Sequence, residues 1–196
     1  MAGYSAVKDA GKTLSSLIWN NMKNDNQITP IISSENQIAL SSPEELTPDK
    51  KLSLFLYMIA EDSYQKNHEP LPIGPEEMEG PPIYLNLFFM ITPNTADTEK
   101  DHLLIGKVAQ IFNDNRILRG PVLRGDLVGE ELRLTFCSLS LDELNKMWSV
   151  ISKSSPYRLS AYYEVGPVKI DSTRKRGVKR VLEADIEKYL LSGEKR

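Results

Sequence analysis

The sequence has a single cysteine, Cys137, so no intramolecular disulfide can form, which fits a reducing compartment. Histidine is nearly as scarce: His68 falls in a proline-rich stretch and His102 near the start of an expected helix. They form no His-x-x-x-His or His-Glu-x-x-His pair, and there is no Cys-x-x-Cys, so zinc-site spacing is missing. Gly-x-Ser-x-Gly is absent, as is any glycine-rich phosphate loop; Gly120 and Gly125 flank Arg124 without following a strand that opens into a helix. A reactive thiol needs a base nearby. Cys137 instead falls on the face of a strand-like stretch opposite Leu134 and Phe136, the place of a small, half-buried residue. The sequence therefore predicts no catalytic residue, no bound cofactor and no metal ligand.

Long apolar runs are missing as well. The longest, Leu54 to Ala60 and Leu87 to Ile91, fall far short of the roughly 20 residues that span a bilayer. The first twenty residues hold Lys8, Asp9 and Lys12 among small residues and contain no secretory h-region. The expectation is a soluble protein made in the cytoplasm, with no membrane partner. Asp97, Glu99 and Asp101 look like a carboxylate cluster, but they fall in a helix's first turn, where the dipole favours negative charge.

What is present is an ordinary globular composition with an uneven pattern. The 196 residues, 40% hydrophobic and 26% charged, suit one well-cored domain. The net charge of −3 argues against polyanion binding by the whole chain. Glu69, Glu76, Glu77 and Glu79 crowd one loop, whereas Arg174, Lys175, Arg176, Lys179 and Arg180 crowd a late segment.

Four stretches alternate with period two, the mark of strands with one buried face. They are Leu52, Leu54, Leu56, Met58 and Ala60; Ile83, Leu85, Leu87, Phe89 and Ile91; Leu132, Leu134 and Phe136; and Tyr157, Leu159, Ala161, Tyr163 and Val165. Gly166-Pro167 bends the last, with Val168 and Ile170 continuing it at the sheet edge. Helical spacing marks three other segments. From Ser5 to Met22 the apolar stripe is Val7, Ala10, Leu14, Leu17, Ile18 and Met22. Trp19 lies about 60° beyond this stripe, as a core-rim residue or an interface anchor. Leu104, Ile105, Val108, Ile111 and Phe112 form the second helix, with its N-cap among Thr95 to Thr98. Ser140 and Glu143 have capping-box spacing, Leu139 and Leu144 that of a hydrophobic staple, and Leu144, Met147, Trp148 and Ile151 mark the third helix's buried face. The order shows no repeat and no strict β–α alternation. It predicts an α+β fold with a mixed, largely antiparallel sheet of about four strands flanked by helices.

Two loops are stiffened by proline, which lowers the entropy lost on docking. One holds Ser42, Pro43, Glu44 and Glu45; the other, Glu61 to Pro82, holds Pro70 and Pro72 and is too long for a simple hairpin turn. The basic run could suggest nucleic acid, but no aromatic residue is interleaved for base stacking. Val178, Leu182, Ile186 and Tyr189 recur at helical spacing, which predicts a basic amphipathic helix docking on an acidic protein surface; a solvated charged tail is the plainer alternative. The expected division is a domain over 1–171 and a tail over 172–196.

Several segments, in order, carry a resemblance: Leu17-Ile-Trp-Asn20, Ser41-Ser-Pro-Glu-Glu-Leu46, Leu52-Ser-Leu-Phe-Leu-Tyr57, Leu104-Ile-Gly106, Leu139-Ser-Leu-Asp-Glu-Leu144 with Trp148, and Pro156-Tyr-Arg-Leu-Ser160 with Tyr163-Glu-Val165. Over roughly residues 5 to 171 the chain resembles the cap, or tail-terminator, proteins of phage-tail-like extracellular contractile injection systems. The resemblance implies a tail-terminator-like α+β fold and a subunit of a six-fold ring that closes inner tube and sheath, with no enzymatic activity. Its partners would be copies of itself and the tube and sheath proteins, and its final location an assembled particle. Family members often continue into a longer C-terminal region, whose role does not transfer here. Two other functions stay open: a nucleic-acid-binding module acting through the basic tail, and a head-to-tail joining protein of a contractile phage.

Overall fold

Helix α1 (Ala6–Met22) is buried well beyond its apolar stripe. In the computed structural model, which describes residues 3–66, 68–151 and 157–177, Asp9, Thr13, Ser15 and Ser16 are buried beside Ala10, Leu14 and Ile18. Three of these polar groups have partners. Asp9 Oδ2 accepts the Asp126 N–H at 3.1 Å, Thr13 Oγ1 accepts the Arg124 N–H at 3.3 Å, and Ser16 Oγ donates to Glu35 Oε1 at 2.6 Å. The helix is thus fastened on its polar side too, as burial of polar groups requires.

The chain continues through β1 (Ile38–Ala39), β2 (Leu52–Glu61), β3 (Leu71–Pro72), β4 (Glu77–Glu79), β5 (Ile83–Pro93), α2 (Thr98–Asp114), β6 (Ile117–Arg119), β7 (Glu131–Phe136), α3 (Leu141–Ile151), β8 (Ala161–Ile170) and β9 (Lys175–Gly177). The main sheet has the order β1-β2-β5-β8-β7-β6, antiparallel throughout except for the parallel β1–β2 pair. It therefore has six strands rather than the expected four. The two additions, β1 and β6, are two and three residues long, too short for alternation to show. The fold class is α+β as expected. Strand β8 starts at Ala161, so Tyr157 and Leu159 precede it; it lies between β5 and β7 as far as Gly166, and beyond that Val168 and Ile170 pair with β5 alone among the described residues, at the sheet edge as expected.

Two register shifts change which side chains face the core. On β2 the pairing with β5 jumps between Leu56 and Met58. One extra residue reverses the alternation. Met58 and Ala60 therefore leave the face shared by Leu52, Leu54 and Leu56, and Ile59 joins it, opposite Leu87. On β8 the shift falls at the cis Gly166-Pro167 bond, and the core face passes from Ala161, Tyr163 and Val165 to Val168 and Ile170. A Cβ at position 166 would press on the Asn86 amide, so a larger residue there would have to push that side chain aside.

One face of the sheet, with Leu87, Phe89, Ile91, Leu132, Leu134, Tyr163 and Val165, packs against α1 and α2 through Leu14, Ile18, Leu104, Val108 and Phe112. The other carries Met90 and Tyr162 against Trp148 of α3, ringed by Phe55, Tyr57, Cys137, Leu144, Met147 and Ile151. Both helix starts follow the expected chemistry. Asp97 caps α2 by accepting the Glu99 N–H at 3.0 Å, and the Ser140 N–H donates to Glu143 Oε2 at 2.8 Å while the Glu143 N–H donates back to Ser140 Oγ at 3.3 Å. Among the described residues, no helix is long and apolar enough to cross a membrane.

Candidate assembly surfaces

The acidic and basic clusters seen in the sequence meet. The connection between β2 and β5 folds into the β3–β4 hairpin, and β9 adds to it in the order β3-β4-β9. Glu77 lies opposite Gly177, Met78 opposite Arg176 and Glu79 opposite Lys175, all antiparallel. The Gly80 N–H donates to Arg174 O at 2.8 Å, extending the ladder toward the main sheet. The result is a three-stranded arm in which a basic strand borders an acidic one, so each offsets part of the other's charge.

Asp62 sits at the root of the arm. Its Oδ1 accepts the Tyr64 and Gln65 N–H groups at 2.8 and 3.0 Å, and its Oδ2 accepts from Asn86 Nδ2 at 3.2 Å. The second strap is β8, which leaves the main sheet at Ile170, opposite Ile83, and leads into β9. On either side of Ile170, Lys169 pairs with Asp171 at 2.8 Å, a bond that raises the lysine pKa. No residue of the arm belongs to either core cluster. Its side chains face outward: Pro70, Pro72, Arg174, Lys175 and Arg176 are exposed, and Leu71 and Ile73 are 48% and 43% exposed. Strand β9 runs from the sheet toward the arm tip, since Lys175 pairs with Glu79 and Gly177 with Glu77, beside the Ile73–Glu77 turn.

The other expected contact residues lie elsewhere. Ser42, Pro43, Glu44 and Glu45 form a short 3-10 turn held to β2 by Ser53 Oγ donating to Ser41 O at 2.6 Å. That turn is at the Leu52 end of β2 and the arm at its Glu61 end, about 30 Å apart at 3.3 Å per residue. Pro43 is buried, while Glu44 and Glu45 are exposed. Trp19 is half-buried and packs on the main core, a rim position. Lys179 and Arg180, with Val178, Leu182, Ile186 and Tyr189, lie outside the described residues. Sequence reasoning missed the pairing of the two clusters. The available signal was that the acidic loop enters the second long strand just where the fourth one leaves toward the basic run.

The chemistry-bearing residues are scattered. Burial pushes the Cys137 thiol pKa up, and the Glu164 carboxylate pushes it the same way, which disfavours the thiolate. His68 lies against the Tyr84 ring at 5.1 Å, and His102 borders a shallow groove beside the Lys107–Asp25 ion pair, 2.8 Å long. A cleft of about 520 Å³ beside Asp62 is lined by Glu131, Glu164, Arg133 and Thr135 among others, with Thr135 opposite Glu164 on the paired strand. Among the described residues no group of three or more His, Cys, Asp or Glu is placed to hold a metal ion.

A family model for the Pvc16 N-terminal domain matches residues 9–184. The chain belongs to the Pvc16 N-terminal domain family. No curated protein matches the sequence. Among solved structures, the chain is similar to the sheath/tube terminator of an extracellular contractile injection system, PVC, in its extended state. The TM-score is 0.64 at 18% identity, over 95% of this chain and 65% of that one. It is also similar to the anti-feeding prophage cap, a tube-terminating cap, with a TM-score of 0.56 at 19% identity, over 86% of this chain and 59% of that one. The chain thus spans less than two-thirds of the length of either structure. What this Pvc16-type domain shares with them is the fold: helices on a mostly antiparallel sheet.

Proposed function

We propose that the chain is a structural cap subunit that closes the end of a contractile injection system away from its baseplate, ending growth of inner tube and sheath as a six-membered ring. The observation that carries this is the family match over residues 9–184, joined to a fold shared with two terminators. A terminator must bind the last ring of a polymer while offering no surface on which another ring can add. That task needs shape and contact patches, and no reaction. The partners are copies of the chain, tube and sheath, and the arm is the element best built to reach them: it stands off the body, is stiffened by Pro70 and Pro72, and exposes Leu71 and Ile73. The exposed Arg174, Lys175 and Arg176 side chains steer it toward an acidic surface, at a strength reduced by Glu77 and Glu79 alongside. The same acidic neighbours weaken the case for nucleic acid on this stretch. Deleting the gene is expected to leave tubes and sheaths of uncontrolled length, scored by electron microscopy. Particles of normal, uniform length without this chain would refute the proposal.

A further inference from the structure

Strand pairing sorts the arm's charges onto two faces. Residues directly opposite one another in a pleated sheet point to the same side, and neighbours along a strand point to opposite sides. Met78 pairs with Pro72 on one flank and with Arg176 on the other, so these three share a face. Arg174 belongs to it as well: the Gly80 N–H donates to Arg174 O at 2.8 Å, and a Cβ at Gly80 would lie 3.5 Å from the Arg174 Cβ. The opposite face holds Leu71, Glu79 and Lys175 on one rung and Glu77 on the next but one. Ile73 joins Glu77 there, its N–H donating to Glu77 O at 3.1 Å. One face is therefore basic through Arg174 and Arg176, and the other carries Glu77 and Glu79. Among the described residues none of these four side chains forms an ion pair.

The two faces fit each other. Each charged pair is spaced two residues along one strand, about 7 Å, with opposite sign. On the basic face Pro70, Met78, Gly80, Arg174 and Arg176 help to line a hollow of about 410 Å³. On the acidic face Leu71 and Ile73 stand exposed. A second arm laid squarely on that acidic face would bring its two arginines down beside Lys175, a like charge. Shifted sideways by one strand, about 4.8 Å, its β9 lies over β4 and its β4 over β3. Arg176 then stands between Glu77 and Glu79, and Arg174 beside Glu79. Leu71 points into the hollow between Met78 and Gly80, where the missing side chain leaves room for it. No sliding along the strands is needed.

We infer that the arms of successive copies stack, the basic face of one on the acidic face of the next. This rests on the ring proposed above and names a contact that joins its members. Two different faces meeting head to tail make the heterologous interface that closes a ring when the rotation between copies allows it. The blades of a β-propeller surround their channel in a comparable way. Exposed ion pairs contribute little energy each. Leu71 in the hollow supplies the buried apolar area, and the charges decide which face meets which and in what register.

The test is charge reversal in the full-length chain, read as particle length by electron microscopy. Arg174→Glu with Arg176→Glu makes both faces acidic, and Glu77→Lys with Glu79→Lys makes both basic. Each double variant is expected to lose length control. The quadruple variant, whose faces again differ in sign, is expected to regain it, as are the two double variants made together, whose copies can alternate. An arm whose basic face binds tube or sheath gives loss without either rescue. Cross-linking is the second measurement. In a Cys137→Ser background, Leu71→Cys and Met78→Cys lie on opposite faces of one arm, so a disulfide between them joins two copies. Oxidised particles are expected to show a covalent ladder from the pair and none from either single variant. Double reversals that cap normally, a quadruple variant that regains nothing, or a missing ladder would overturn the inference. Length control lost on gene deletion but not regained by the quadruple variant would refute this contact and leave the cap function standing.

Discussion

The fastening of α1 to the turn at Gly125 makes a quantitative prediction. Gly125 has φ +58°, where a side chain costs about 1–2 kcal/mol. A Cβ there would also run into the Asp9 carboxylate, which holds the Asp126 N–H and accepts from Ser5 Oγ at 3.3 Å. Gly125→Ala therefore displaces Asp9 as well as straining the backbone, and leaving a buried donor unpaired adds about 1–3 kcal/mol. Asp9→Ala alone loses that same bond and costs about 1–3 kcal/mol. In the double variant the collision is gone and the bond is lost only once. The pair should then be less destabilising than the sum of the singles by about 1–3 kcal/mol, and Asp9→Asn, which keeps an acceptor, should lose less than Asp9→Ala. Urea unfolding of the wild type and the four variants, read at equal m-values, measures this. Additivity within about 0.5 kcal/mol would show that the Asp9 carboxylate does not constrain the turn.

Replacing both Leu71 and Ile73 by Ser should leave the stability of the body within about 0.5 kcal/mol, since neither side chain belongs to a core cluster, while particles made with the variant lose length control; normal capping would show the arm to be dispensable. Truncation after Asp171 removes β9 and leaves Glu77 and Glu79 without basic neighbours, so attachment should weaken and become less sensitive to salt than that of the intact chain, measured by pull-down of assembled particles across a salt series. The Ser140 backbone N–H and then its hydroxyl hold the Glu143 pKa below its ordinary value of 4.5. A depressed folded-state pKa gives stability that is present above the unfolded value and lost as pH falls through the folded one. Ser140→Ala should therefore shrink the acid-side loss of α3 stability seen in the wild type, checked by circular dichroism during unfolding at stepped pH; an unchanged pH profile would refute the box.

What the sequence made legible was whatever is local and long. The four long strands, the α2 N-cap and the box at Ser140 depend on neighbours within a few residues, and each stands close to its expected place. Polar burial on α1 was illegible, because Asp9 and Thr13 are matched by Arg124 and Asp126, more than a hundred residues away. The outward turn of Met58 was illegible for another reason: a bulge is one extra residue, and alternation alone does not show where it falls. Of the candidate contact residues, sequence reasoning singled out Pro70, Pro72 and Arg174 to Arg176 without seeing that they belong to one arm. It also expected the basic run to lead into a helix; within that run Lys175–Gly177 is a strand, and the expected helix positions from Val178 on lie outside the described residues. The arm rests on pairing between segments about a hundred residues apart, which no local pattern announces.

The cores divide the chain into parts of unequal resistance to opening. Strands β5 and β8 are sealed on both sides, by Phe89 and Val165 toward α1 and α2 and by Met90 and Tyr162 toward α3. Their amides should exchange with solvent only when the whole domain unfolds. The arm is held by short ladders and the Asp62 bonds, so it can melt and reform while the body stays intact. Its free energy of opening is then a separate quantity, one that a surface binding the closed arm raises without touching the core. Slowed exchange confined to Leu71–Glu79 and Lys175–Gly177 would be the signature of a seated cap.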